Sequence, residues 1–290
     1  MKLLISFITV ILLTAINGSV QAKSFLWQIK NDSAVVYLFG SIHLAKASMY
    51  PLDPAVEQAF SATEKLVVEV NQAESDKVKV QNILLTKGMY SGEDTLADNL
   101  DTQTLSLLQD YLKRHQLSYM SIAKLRPTMA AITITVMRMM QLGFSPEMGI
   151  DMHFIKKAQH QHKPILQLET EEEQLNLLLD IPDENLFLRY SLSSLSGMED
   201  TLQELVNAWK TGNTAKMNQL MLEEPLNEYP IFESLFNKLF VERNIKMTKK
   251  IKDYLNTKNT YFVVVGAGHM VGEKGIVRLL QKAGYTIEQL

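Results

Sequence analysis

The sequence of 290 residues contains no cysteine. That absence excludes disulfide bridges, thiolate metal sites, cysteine nucleophiles and lipid attachment through cysteine. An excess of charge of one sign is also missing, because 29 Lys and Arg residues stand against 32 Asp and Glu residues. Without basic blocks, the chain has no electrostatic footprint for nucleic acid. A hydrophobic content of 46 % beside 21 % charged residues is typical of a globular protein.

The longest apolar run lies at the N-terminus, and no later stretch is long and apolar enough to span a membrane. Lys2 precedes the run Leu3 to Ile16, and the small residues Val20 and Ala22 occupy the −3 and −1 positions of a cleavage site. This layout predicts a signal peptide over residues 1–22. The alternative is a membrane anchor, but the run is shorter than the about 20 apolar residues that cross a bilayer. We therefore expect an exported protein, periplasmic or secreted, without a membrane anchor after cleavage.

The rest of the sequence has no Pro/Gly/Ser-rich linker and no low-complexity tract, so we predict a single domain over residues 23–290. Short runs of apolar, β-branched and aromatic residues predict buried strands, which cover residues 34–39, 65–70, 164–168, 261–265 and 285–287. Helical patterns cover residues 55–62, 95–140 with a break near Pro127, 149–158, 169–179, 185–255 and 275–283. Strands near both ends predict an α/β fold. Its mixed central β-sheet is flanked by helices, with a large helical middle section.

Two of the predicted strands end in the same motif, G-x-x-H, so the mixed sheet carries both copies. The first copy ends at His43 and the second at His269. Glycine lets the backbone turn sharply after the strand, and ligands bind at the carboxyl edge of open α/β sheets. If the two strands are neighbours, the imidazoles meet at one site although 226 positions separate them. The alternative is that each is an ordinary loop histidine.

Glu69 interrupts the apolar strand Leu66 to Val70 and is the third candidate for this site. Strand alternation would allow it to face solvent, but its apolar neighbours favour burial, and a buried carboxylate needs a cation or a hydrogen-bond donor. His43, Glu69 and His269 form a ligand set that leaves positions open for water and substrate. A divalent cation there would lower the pKa of bound water towards about 7. Without a metal, the same residues could supply a general base and the group that orients it.

Short motifs are spread along nearly the whole chain after residue 22; they are Phe25-Leu26-Trp27, Phe39-Gly40-Ser41-Ile42-His43, Leu66-Val67-Val68-Glu69, Gly149-Ile150-Asp151, Leu168-Glu169-Thr170 with Glu173-Gln174, Glu242-Arg243-Asn244, and Val265-Gly266-Ala267-Gly268-His269 with Gly272 and Gly275. In this combination the sequence resembles the TraB/GumN family, which includes the Tiki metalloproteases and is distantly related to erythromycin-esterase and ChaN-like proteins. The resemblance implies a mixed α/β fold. For the Tiki branch it implies peptide cleavage that depends on a divalent metal, with Mn²⁺ or Co²⁺ expected and Zn²⁺ as a further candidate. His43, Glu69 and His269 match the motif positions thought to hold that metal.

Arg243 has two interpretations. A guanidinium aimed into the site could hold a substrate carboxylate or steady an oxyanion. A surface side chain would instead pair with Glu242 or Asp253. The next residue, Asn244, is expected to cap a helix that begins at Ile245.

The other polar residues near the motifs have simpler interpretations. Asp151 is expected to be the N-cap of its helix. Glu169 ends a predicted strand and is a reserve candidate for the same sheet edge. His115 and the pair His160 and His162 lie in polar surroundings and are expected to be solvated.

These features predict an exported metal-dependent hydrolase, with peptide or protein cleavage as the favoured activity. His43, Glu69 and His269 would hold the metal, and its bound water would be the nucleophile. Glu69 and Arg243 are the predicted catalytic side chains. Two alternatives stay open. One is an exported protein without catalytic activity that binds a peptide or a polysaccharide in the same cleft, and the other is a metal-free, esterase-like hydrolase that uses His43 or His269 as base.

Overall fold

The computed structural model describes residues 23–290. The signal peptide predicted over residues 1–22 lies outside the described residues, so it stays a prediction.

A mixed sheet of six strands lies at the centre of the described chain. In chain order its strands are β1 (Leu26–Lys30), β2 (Val35–Ser41), β3 (Lys65–Val68), β4 (Ile165–Gln167), β5 (Thr260–Gly266) and β6 (Ile287–Gln289). Their spatial order is β4-β3-β5-β2-β1-β6, in which the first four run parallel and β1 runs antiparallel to β2 and β6. The predicted α/β class with a mixed central sheet is confirmed. Strand β1 is not among the predicted strands, since Gln28 and Lys30 interrupt its apolar pattern.

Helices fill the middle of the chain, as predicted. Three of the helices named next, α1, α5 and α12, pack against the sheet. In chain order they are α1 (Pro54–Ser61), α2 (Lys77–Lys87), α3 (Thr102–His115), α4 (Pro127–Gln141), α5 (Ile150–His160), α6 (Glu171–Leu179), α7 (Glu184–Ser194), α8 (Met198–Lys210), α9 (Thr214–Asn218), α10 (Glu224–Glu228), α11 (Glu233–Phe236), α12 (Arg243–Leu255), α13 (Ala267–Met270) and α14 (Ile276–Lys282). Two π-helical segments, Gln219–Glu223 and Asn237–Glu242, interrupt the long helical region. Within residues 23–290, every helix is too short or too polar to cross a membrane.

Strand β5 shows why the sequence predicts the centre of the sheet so well. It lies between β3 and β2, and Phe262 and the three valines after it are all almost completely buried. A parallel strand covered on both faces appears in the sequence as an unbroken apolar run rather than as an alternating one. The local pattern therefore contains most of the information that places this strand.

The carboxyl ends of the parallel strands position the candidate site. Ser41 at the end of β2 pairs with Gly266 at the end of β5, and β3 and β4 lie beyond β5 in the same orientation. Because parallel strands end at the same edge of a sheet, the residues that follow them leave the sheet together. This register brings His43, Glu69 and His269 to one edge.

The end of β2 is anchored by Trp209 of α8. Its indole Nε1–H donates a buried hydrogen bond of 2.6 Å to the carbonyl oxygen of Gly40. Gly40 opens the first G-x-x-H motif, so this bond ties the turn that leads to His43 to a helix outside the sheet. An unpaired buried carbonyl costs free energy comparable to a lost hydrogen bond.

We expect the Trp209→Phe variant to lose about 1–3 kcal/mol more unfolding free energy than Trp27→Phe, because only the first change leaves a buried acceptor without its donor. Trp27 is also buried, but it packs edge-to-face on Phe25 and makes no hydrogen bond to the described residues through its indole nitrogen. Urea denaturation of both variants measures the difference. Equal losses would show that the bond to Gly40 contributes nothing beyond ring packing.

Candidate functional site

Three side chains predicted from the sequence meet around Gly266. A Cβ atom built on this glycine would lie 3.2 Å from Glu69 Oε1, 3.6 Å from His43 Nε2 and 3.7 Å from His269 Cδ2. The missing side chain of Gly266 therefore leaves open the space that all three residues face. The structure brings the three predicted residues together, as the parallel register of their strands requires.

His269 is buried, with 5 % of its surface exposed, and its orientation is set by Asn244. Its Nδ1 lies 2.6 Å from Asn244 Oδ1, while Asn244 Nδ2 donates to the carbonyl of Lys274 over 2.9 Å. Since the amide nitrogen is used as a donor, its oxygen must accept from the ring. The proton of His269 therefore sits on Nδ1, and Nε2 carries the lone pair.

The predicted role of Asn244 as a helix cap is wrong. Helix α12 begins at Arg243 and continues directly from the π-helical segment Asn237–Glu242. No free N-terminus is present at this point, so the amide is available to orient His269. π-helical turns are frequent at functional sites, and here the turn precedes Arg243 as well.

His43 is oriented in the same way by Asp151. Its Nδ1 lies 3.2 Å from Asp151 Oδ1, and its side chain is 56 % exposed, so the site opens to solvent on this side. An ionised carboxylate offers no hydrogen, so the Nδ1 that faces Asp151 carries a proton, while Nε2 lies on the side of Glu69 and Gly266. The prediction that Asp151 is an N-cap is wrong, because Gly149 is the N-cap of α5 and Asp151 lies in its first turn. A side chain at Gly149 would collide with the carbonyl of His43, so only glycine permits this approach.

Glu69 is buried and fully hydrogen-bonded. Its Oε1 accepts from the Gly266 N–H over 2.6 Å, and its Oε2 accepts from Arg243 Nη2 at 2.7 Å and Gln174 Nε2 at 3.0 Å. Burial raises the pKa of Glu69, but the charges of His269, His43 and Arg243 and the Gly266 N–H outweigh it and lower the pKa to about 2. The side chain is therefore an anion at neutral pH.

Arg243 is partly buried and lies between two buried carboxylates, so the surface-pair interpretation is wrong. Besides its bond to Glu69, its Nε and Nη2 donate to Glu169 over 2.7–3.0 Å, and its Nη1 donates to the carbonyl of Leu239. This fork geometry is the strong form of a guanidinium–carboxylate pair. Arg243 thus holds Glu69 and Glu169 in place, and its predicted action on a substrate's charge stays a prediction. Glu169, the reserve candidate, does lie at the same sheet edge.

The charges of this cluster do not balance. The cluster contains three buried carboxylates, those of Glu69, Asp151 and Glu169, and one guanidinium, that of Arg243, which pairs with Glu69 and Glu169. For His43, desolvation of the ring by neighbouring protein atoms lowers the pKa although part of the side chain is exposed, but the contact and charge of Asp151 and the charge of Glu69 raise it to about 9. For His269, burial outweighs the charge of Glu69 and lowers the pKa to about 4. A proton on His43 offsets part of the negative excess, and a cation beside Glu69 would offset the rest.

The remaining histidines lie elsewhere. His153 bonds Glu57 over 3.1 Å, and His115 packs on Tyr111. His160 is exposed at the end of α5. Sequence reasoning gave no role to Gln174, which donates to both Glu69 and Glu169. Its place in the motif that follows β4 is the only signal that could have indicated it.

A comparison with known protein families gives a match over the part of the chain that carries these motifs. The model of the TraB/PrgY/gumN family matches residues 25–289. The chain belongs to the TraB/PrgY/gumN family. The resemblance to this family that the motifs predict is therefore confirmed, and the match covers both G-x-x-H motifs and Arg243.

Relatives within the TraB/PrgY/gumN family include bacterial and animal proteins. The chain is 26 % identical over 255 residues to "Uncharacterized protein YbaP" of Escherichia coli K12, which covers 84 % of this chain and 87 % of that protein. It is 23 % identical to "Metalloprotease TIKI homolog" of Amphimedon queenslandica, with 92 % of this chain and 62 % of the relative covered. A protein of the same name from Nematostella vectensis is 20 % identical, with 92 % and 67 % covered. No solved structure matches the chain significantly.

The side chains of His43, Glu69 and His269 are of the chemical types that bind a divalent cation. The imidazoles of His43 and His269 and the anionic Oε1 of Glu69 line the same space around Gly266, and imidazole with carboxylate is a common donor combination for transition metals once the rings carry no extra proton. Each imidazole is held through its other nitrogen by an acceptor, as metal-bound histidines are. Among residues 23–290, no three His, Asp or Glu side chains are already close enough together to hold a metal ion. Both oxygens of Glu69 instead accept hydrogen bonds.

Proposed function

We propose that this protein is an exported, metal-dependent hydrolase that cleaves peptide or protein substrates. The observation that carries the proposal is the convergence of two imidazoles, those of His43 and His269, and the anionic Oε1 of Glu69 around Gly266 in a cluster with an excess of buried carboxylates. Such a cluster favours a cation, because buried carboxylates are stabilised by positive charge, and a divalent metal would take the place of the proton on His43. The metalloprotease names of the two animal relatives support peptide cleavage. Export to the periplasm or beyond is proposed from the signal-peptide pattern in residues 1–22.

His43, Glu69 and His269 would hold the metal, with Mn²⁺, Co²⁺ and Zn²⁺ as candidates. A bound divalent cation supplies a Lewis acid and lowers the pKa of its water. The chain's own contribution is orientation. Asp151 and Asn244 hold the two rings so that both Nε2 atoms face inward, and the fixed partners prevent the rings from flipping.

Substrate would approach from the His43 side, because that ring is largely exposed whereas His269 is buried. Arg243 and Gln174 hold the second oxygen of Glu69, so that carboxylate keeps one position throughout turnover. Electrostatic preorganisation of this kind requires no reorganisation when charge develops in the reaction.

A metal-free hydrolase is the second candidate, and one observation favours it. His43 already forms an Asp–His pair with Asp151, and both oxygens of Glu69 are already hydrogen-bonded. In the fraction of molecules in which His43 has lost its proton, an imidazole held in this way by a carboxylate can take a proton from water as a general base. In this mechanism no metal would be bound by His43, Glu69 and His269.

The experiment compares metal content with cleavage. The protein, produced from the full chain, is freed of metal with a chelator, reloaded separately with Mn²⁺, Co²⁺ or Zn²⁺, and assayed against a diverse peptide library while bound metal is counted by mass spectrometry. We expect chelation to lower the cleavage rate by at least about 100-fold, because a metal-activated nucleophile would be lost, and reloading with one ion per chain to restore it. Full activity after chelation would support the metal-free candidate instead. Metal uptake without any hydrolysis would contradict both.

A further inference from the structure

A cleft between α6 and α12 adjoins the carboxylate cluster on the side away from His43. Its volume is about 690 Å³, and Glu169, Gln174 and Arg243 form its inner end. Gln174 and Arg243 are the same side chains that hold Glu69. The cleft is therefore separated from the proposed catalytic carboxylate by a single layer of side chains.

The position of the cleft follows from the order of the strands. Glu169 follows β4, Glu69 follows β3, and the two histidines follow β5 and β2, so these residues lie in sequence along the carboxyl edge of the sheet. Neighbouring strands are about 4.8 Å apart, so β4 lies about 10 Å from β5, or about three residues of an extended peptide. A peptide that runs along this edge from the His43 side would reach the cleft a few residues beyond the bond being cleaved.

The wall formed by α12 and the segment before it has an excess of positive charge, because four lysines and Arg243 stand there against Glu242 and Asp253. Lys246, Lys249 and Lys250 are spaced to share one face of the helix, and Lys238 precedes them on the π-helical segment. Lys250 donates to the carbonyl of Leu168. Within residues 23–290, none of the four ammonium groups has a carboxylate within 4.0 Å, whereas lysines elsewhere, such as Lys79 and Lys216, do form ion pairs.

The opposite wall, formed by α6, is not basic. It presents Glu173, Asn176, Leu177 and Asp180 to the cleft. Hydrogen bonds from Thr170 lower the pKa of Glu173, and the positive charges of Lys246 and Lys250 on the facing wall lower it further. An extended peptide has side chains that point alternately to opposite sides, so it can present acidic groups to one wall and neutral or basic groups to the other. A uniformly anionic polysaccharide would meet Glu173 and Asp180 as like charges.

We propose that this cleft binds the segment of a peptide substrate that flanks the cleaved bond, and that Lys246 and Lys249 select acidic side chains there. A volume of about 690 Å³ lies within the about 300–1,000 Å³ of ligand sites and accommodates a short segment. The inference rests on the proposed peptidase function for its link to cleavage, but the binding that it describes can be measured without any hydrolysis.

The test uses pairs of peptides that differ only in Glu or Gln at positions beyond the cleaved bond. The wild type should cleave the Glu peptide with about tenfold higher kcat/KM, as expected for two partly screened ion pairs. In the double variant Lys246→Glu/Lys249→Glu the preference should reverse. The matched control is Lys252→Glu, which lies on α12 but does not line the cleft, and it should keep the wild-type preference. Higher ionic strength should weaken the preference.

A binding measurement tests the cleft separately from the proposed peptidase function. Fluorescence anisotropy of the same labelled peptides, with the full-length His269→Ala variant, measures affinity without turnover. Tighter binding of the Glu peptide that reverses in a His269→Ala/Lys246→Glu/Lys249→Glu variant would support the cleft even if the wild type hydrolysed nothing. Equal affinities and equal rates for both peptides would overturn it. Lysine-dependent binding of heparin, used as a polyanion probe, without discrimination between the peptides would also overturn it, in favour of a polyanion site.

Discussion

The His269→Ala and His43→Ala variants should each cleave peptides about 10²–10⁴-fold more slowly than the wild type, the range expected when a positioned catalytic group is removed. Each change removes one of the two imidazoles that lie with Glu69 around Gly266. If a metal is bound, each variant should also lose most of its metal. The measurements are steady-state kinetics on the best library peptide and metal content of the same samples.

The matched control is His160→Ala, which removes an exposed histidine outside the cluster and should leave both rate and metal content unchanged. Because His269 is buried and bonded to Asn244, His269→Gln is a second variant that keeps a polar side chain in the space. Circular dichroism establishes that both remain folded. A wild-type rate in either folded His269 variant would exclude that side chain from the chemistry.

Arg243→Met should lower the free energy of unfolding by about 3–5 kcal/mol, the cost of breaking a buried ion pair by removing one partner. Arg243 is only 15 % exposed, and its loss leaves the carboxylates of Glu69 and Glu169 close together without their shared cation. The cost is large because each carboxylate stays desolvated while its attraction to the guanidinium disappears. Urea denaturation at neutral pH measures it.

Two further variants test whether the loss of stability in Arg243→Met is electrostatic. Arg278→Met removes an arginine from an exposed pair with Glu273 and should have a much smaller effect, since exposed pairs are screened by water. Adding Glu169→Gln to Arg243→Met should recover part of the lost stability by removing one of the two like charges. Equal losses in Arg243→Met and Arg278→Met, or no recovery in the double variant, would contradict the electrostatic account.

The parts of the fold that were predicted correctly are those with a strong local signal. Strands β2 and β5 are largely apolar runs with a glycine at or next to the last residue, so both the strands and the motifs that begin there are visible in the sequence. Strand β1 was missed because it is the antiparallel strand next to β6, with polar Gln28 and Lys30 in its pattern. Local pattern is weakest where a strand depends on its neighbours for pairing.

The wrong assignments share one physical cause. An Asp or Asn beside the start of a helix is locally indistinguishable from a cap, yet Asp151 contacts His43 and Asn244 contacts His269. His43 and Asp151 are 108 positions apart in the chain. A contact over that separation exists only once the sheet has formed, so no local pattern contains it.

By itself, the sequence determined the family, the parallel strands and the residue types that reach the carboxyl edge of the sheet, because buried parallel strands and the glycines near their ends are encoded locally. Only the tertiary structure decided which side chain holds each imidazole, since Asp151 and Asn244 contact the Nδ1 atoms from other elements. It also decided that Arg243 lies between two buried carboxylates rather than at the surface. The reason is that a guanidinium is stable away from water only where carboxylates are close enough to pair with it, and here those carboxylates come from separate segments of the chain.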